Sequence, residues 1–75
     1  MSRLPRVTGR NAIRALQRGG FRVVRTSGSH YILADPNNPE RAATVPYKTS
    51  TLKLGTLRNI LRQAGLTAEE FQRLL

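Results

Sequence analysis

Residues 21–47, FRVVRTSGSHYILADPNNPERAATVPY, decide the fold, because they divide into three strand-like runs separated by two turn signals. FRVVRT (21–26) is rich in β-branched residues and sets Phe21 and Val23 on the same side. SGS (27–29) turns the chain, with Gly28 the residue that accepts positive φ without strain. SHYILAD (29–35) is the second run. Alternation places His30, Ile32 and Ala34 on one face, with Tyr31 and Leu33 on the other. DPNNPE (35–40) holds two prolines and two asparagines in six residues and predicts the second turn. RAATVPY (41–47) is the third run, ended by Pro46, which has no N–H to give to a ladder. Three strands joined by short turns predict an antiparallel meander.

Helical patterns flank this centre. TGRNAIRALQRGGF (8–21) offers Thr8 as N-cap, Gly19–Gly20 as stop, and a short apolar stripe of Ala12, Ile13 and Leu16. Arg10, Arg14 and Arg18 recur every fourth residue and line one exposed face. That stripe suits an anion or an acidic partner, and equally a solvated surface. GTLRNILRQAGL (55–66) predicts a second helix with Thr56 as N-cap and Gly65 at its end. Leu57, Ile60, Leu61 and Ala64 form its buried stripe, and Arg58 and Arg62 fall opposite. TAEEFQRLL (67–75) begins with the capping-box pair Thr67 and Glu70, and its Phe71, Leu74 and Leu75 are expected to pack back on the domain. The whole chain, residues 1–75, thus reads as one α+β domain of order αβββα plus a short C-terminal helix. The helices cover one face of the three-stranded antiparallel sheet and leave the other open. This layout resembles the double-stranded-RNA-binding fold.

Composition narrows the partners. Thirteen Lys+Arg oppose four Asp+Glu, a formal charge of +9 on 75 residues, and eleven of the cations are arginine. The planar guanidinium fork suits phosphate or carboxylate. So large an imbalance points to a polyanion, with an acidic protein surface or an anionic membrane as the other classes. The apolar runs are too short to span a bilayer. Without cysteine there is no disulfide framework and no thiolate metal site, which fits a reducing cytoplasm. The basic start MSRLPRVTGR is followed by no apolar stretch of the secretory kind.

His30 is the one histidine. The chain lacks the glycine loop ending in Lys-Ser/Thr that cradles nucleotide phosphates, and one histidine with four scattered acids makes no metal-ligand spacing. Ser29, His30 and Asp35 do not assemble into a triad, since adjacent strand residues point to opposite faces. Internal transesterification of RNA does suit this inventory. The 2′-hydroxyl is the nucleophile, an imidazole moves protons near neutral pH, and a cation stabilises the phosphorane. A surface histidine that caps the turn is the plain alternative.

The ordered set of a glycine-rich helix end, GSH (28–30) opening a strand, VP (45–46) closing another, and GTLRNILRQAG (55–65) resembles the HicA family of small toxins over roughly residues 9–66. The resemblance implies an mRNA-cleaving ribonuclease with no metal or organic cofactor, and a HicB-type antitoxin that neutralises it. It implies that His30 is the catalytic histidine. Gly28 and Ser29 would shape the turn and, with Lys48, Arg10, Arg14 and Arg58, make the expected RNA and phosphate contacts. Two departures stand out. Many members carry a second histidine where this chain has Lys48, and a proline where it has Leu54. Lysine is normally protonated at pH 7 and so suits phosphate better than base chemistry. Tyr31, Tyr47, Lys48 or water would be the second proton carrier. A non-catalytic RNA-binding module of the same fold, and a module that binds an acidic protein, are the alternative functions.

Overall fold

Thr8 is itself in the extended region, and its side chain accepts a hydrogen bond from Asn11 N at 3.0 Å, so helix α1 (Gly9–Arg18) starts where the capping residue predicts. The computed structural model describes residues 4–75; residues 1–3 lie outside it. Three strands follow, β1 (Arg22–Ser27), β2 (His30–Asp35) and β3 (Asn38–Pro46), and then helices α2 (Leu54–Ala64) and α3 (Ala68–Leu74). The strands form one antiparallel sheet in the order β1-β2-β3, the expected αβββα arrangement with a third helix.

One side of that sheet is dry. Leu33 of β2 and Ala43 and Val45 of β3 are buried under Ala12, Ile13 and Leu16 of α1 and Leu57, Ile60 and Leu61 of α2. Phe71 seats α3 on the same core, and the Arg18 guanidinium donates to Leu74 O at 2.7 Å. Leu75, expected to pack with them, is instead 45% exposed, because α3 ends one residue before it. Arg41 ties the end of α2 to the sheet. Its guanidinium donates to Ala64 O at 2.8 Å, meets Asp35 at 3.4 Å and lies 5.4 Å from the Phe21 ring centroid. Among the described residues, no helix is long and apolar enough to cross a membrane.

Two boundaries differ from expectation. The second turn is shorter than DPNNPE, since β3 already begins at Asn38. Asp35 Oδ1 accepts from Asn37 N at 2.9 Å, which closes the turn within Pro36–Asn37. Pro39 is tolerated because β3 is an edge strand, where a missing donor leaves no ladder bond unmade. The second helix starts earlier than predicted. Its N-cap is Lys53, which makes no side-chain cap bond, and Thr56 lies inside the first turn. Leu52 forces this start: it is buried, and its N–H donates to Val7 O at 2.8 Å. Thr56 is thereby released from capping. At the far end Gly65 stops the helix where the sequence predicts, in the left-handed conformation with φ 71°.

Candidate functional site

The hairpin between β1 and β2 has a two-residue loop, Gly28–Ser29, closed by the pair Ser27 and His30. Gly28 takes φ 58°, as the first loop position of a tight hairpin turn requires. His30 is thus the first residue of β2, exposed, and opposite Pro46 on β3. Tyr47 N donates to Ser29 O at 2.6 Å, which fastens the end of β3 to this loop.

Lys48 is held from the other side. Arg10 N donates to Lys48 O at 3.0 Å, so the first turn of α1 abuts the segment after β3. The approach is close enough that a Cβ on Gly9 would collide with the Pro46 carbonyl oxygen and stand 2.8 Å from Lys48 N. Glycine is needed there because another backbone occupies the space.

The third wall is α2. It runs beside the free edge of β3, where the Thr44 N–H donates to Gln63 Oε1 at 3.1 Å. Covering an edge in this way also removes a template for strand pairing. The result is an open cleft of about 450 Å³ that brings together Ser29, His30, Lys48, Thr56, Asn59 and Gln63 over a floor of Thr44, Pro46 and Ile60. None of these residues carries a carboxylate. The cleft presents an imidazole, an ammonium, hydroxyls and carboxamides, a set that suits an anionic ligand. It offers a hard cation no charged oxygen.

The expected site residues divide accordingly. Ser29, His30 and Lys48 line the cleft, with Gly28 at the hairpin tip and the Arg10 backbone against Lys48. Arg14 lies further along α1 in a shallow groove with Asn11, Arg18 and Leu75. Arg58 faces away into a groove with Leu4, Leu54, Leu61, Arg62 and Leu66. Tyr31 and Tyr47 stack on each other, ring centroids 5.0 Å apart and planes 25° from parallel, and neither lines the cleft. Of the side chains named as second proton carrier, Lys48 alone borders the cleft with His30. Asn59 and Gln63 carry no expectation from the sequence, and Thr56 is expected there as a helix cap. Their signal is a polar stripe at helical spacing along α2, between its apolar stripe and its arginines.

Comparison with known families matches residues 9–66 to the HicA toxin of bacterial toxin–antitoxin systems. No curated protein matches the chain.

Proposed function

The chain belongs to the HicA toxin family, a family of toxin–antitoxin toxins, and we propose that it is an mRNA interferase, an endonuclease that cleaves RNA by metal-independent transesterification. His30 is the proton-transfer residue. The observation that carries this is the meeting of His30 and Lys48 in one cleft free of carboxylates.

The chemistry follows from the substrate. The 2′-oxygen attacks the adjacent phosphorus and gives up its proton, the bond from phosphorus to the 5′-oxygen breaks, and that oxygen takes up a proton as it leaves. The products are a 2′,3′-cyclic phosphate and a 5′-hydroxyl. His30 takes or supplies one of these protons, since imidazole exchanges protons readily near neutrality. Lys48 stabilises the negative charge that builds on the phosphorane, and Thr56 and Asn59 donate to the non-bridging oxygens. Arg10 and Arg14 hold the RNA on the side of α1, and Arg58 lies on the outer side of α2. A HicB-type antitoxin neutralises the nuclease by binding it, and both act in the cytoplasm.

The test is cleavage of RNA in EDTA by the purified chain beside a folded His30→Ala variant, with the product ends identified. Cleavage by the parent alone, leaving cyclic phosphate ends, is expected. An equal rate from His30→Ala would remove His30 from the mechanism. Binding without cleavage by the folded, antitoxin-free parent would favour a non-catalytic RNA-binding module of the same fold.

A further inference from the structure

Strict alternation along β1 would put Arg22, Val24 and Thr26 on one face, and Val23, Arg25 and Ser27 on the other. The register departs from that. Arg22 opposes Ala34 and Val23 opposes Leu33, but Arg25 opposes Ile32 and Ser27 opposes His30. Val24 is therefore an extra residue in β1, 62% exposed, and the ladder shifts by one beyond it. Directly opposed residues share a face, so the bulge brings Arg25 to the side that Arg22 already occupies. That side is the open face of the sheet, the one on which His30 stands.

Three rungs cross this face: Ser27, His30 and Pro46; Arg25, Ile32 and Thr44; and Arg22, Ala34 and Ala42. No acid stands on any of them. Successive rungs on one face are about 6.6 Å apart, two residues of strand rise. Arg22 and Arg25 are exposed, and neither guanidinium has a hydrogen bond or ion pair among the described residues. Ala34, Ala42 and Thr44 on these rungs are short, with Ile32 standing between Arg25 and Thr44, and a nucleic-acid backbone can lie along them.

We propose that this open face is a second RNA-binding site, on which Arg25 and Arg22 hold successive backbone phosphates of the single strand that leaves the His30 cleft. It rests on the reading that the substrate is RNA. Contact through phosphates makes the site indifferent to base sequence, and its role is to hold the flank of the substrate while the cleft acts on one linkage. The bulge at Val24 is the device that builds it. Without the extra residue, Arg25 would lie on the helix-covered side.

The decisive variant is the exchange Arg25→Thr with Thr26→Arg. Thr26 is exposed and opposes Tyr31 on the other face, so the exchange keeps the net charge and moves one cation off the open face. Binding is measured on the full chain with a single-stranded, fully 2′-O-methylated oligonucleotide, which cannot be cleaved, over a range of salt. One lost phosphate contact lowers the salt slope by about 0.7, which is about a fivefold loss of affinity at 0.1 M salt. The exchange and Arg25→Gln are both expected to show that loss, and Arg22→Gln a similar one. Parental affinity in a folded exchange variant would overturn the proposal and leave the RNA reading standing. If the exchange does not fold, the two glutamine variants decide the matter by their slopes. A parent chain that binds no oligonucleotide even at low salt would overturn the proposal and the RNA reading together.

Discussion

Replacing Gly9 with alanine adds one Cβ at the first position of α1, and its effect follows from what surrounds that position. On propensity alone alanine should stabilise a helix by up to about 1 kcal/mol over glycine, and less at an end than in the interior. Against this, the new methyl would overlap the Pro46 carbonyl oxygen and stand 2.8 Å from Lys48 N, and both atoms are backbone. A side chain could rotate aside, but this segment is fastened by Tyr47 N to Ser29 O at 2.6 Å, Lys48 O to Arg10 N at 3.0 Å and Leu52 N to Val7 O at 2.8 Å. Relief requires α1 and the 46–48 segment to part and at least one of these bonds to weaken. Overpacking of this kind costs about 1–3 kcal/mol, and losing one net hydrogen bond adds about 1 kcal/mol. We expect Gly9→Ala to destabilise by about 2 kcal/mol, lowering Tm by about 8–16 °C for a domain of this size. Cleavage should fall as well, because Lys48 moves with its backbone. Gly55→Ala is the matched control: outside its own stretch of helix no atom of the described residues lies within 4 Å of its would-be Cβ, and propensity alone should leave it as stable as the parent or slightly more so. Thermal and urea unfolding of the two variants measure the contrast. A Gly9→Ala protein at parental Tm would refute the claim that close approach of the two backbones, rather than conformational freedom, demands glycine there.

Phe71→Ala should cost about 3–5 kcal/mol, a large part of a small domain's stability, because Phe71 is fully buried and is the main apolar anchor of α3. Urea unfolding measures this directly, and a loss below about 1 kcal/mol would mean that α3 contributes little to the core. Hydrogen bonds from the Thr67 backbone N–H and then the Thr67 hydroxyl hold the Glu70 carboxyl below its ordinary value of 4.5, with the Arg41 and Arg73 charges acting in the same direction. The stabilisation is therefore fully present above about pH 4.5 and is lost as pH falls through the lower folded value. Glu70→Gln should flatten that part of the acid limb in unfolding measured against pH, and an unchanged limb would show that the capping box does not couple to folding.

Much of this architecture is local and therefore visible along the chain. Thr8, Gly65 and the Thr67–Glu70 box mark helix ends because each acts on backbone within a few residues of itself. Gly28 marks the hairpin for the same reason. The failures are equally physical. Thr56 looks like a cap by composition, but Leu52 is drawn into the core and starts the helix at Leu54. DPNNPE looks like a loop throughout, but β2 pairs with Asn38 and shortens it.

The sequence by itself determined the αβββα order, the apolar stripes, the basic surface and the position of His30 at the mouth of a hairpin, since all of these are written in residue type and period. It also carried the ordered motifs of the family. Only the tertiary structure decided which side chains keep His30 company. Lys48 joins it because Gly9 admits another backbone, and Thr56 and Asn59 join it because α2 covers the β3 edge through Gln63. Arg58, a near neighbour of Thr56 in sequence, is carried by the helical turn to a different groove. Arg25 reaches the His30 face through a one-residue bulge that alternation along β1 cannot reveal. Each of these depends on contacts between elements far apart in the chain, and such contacts are fixed by packing, not by local preference.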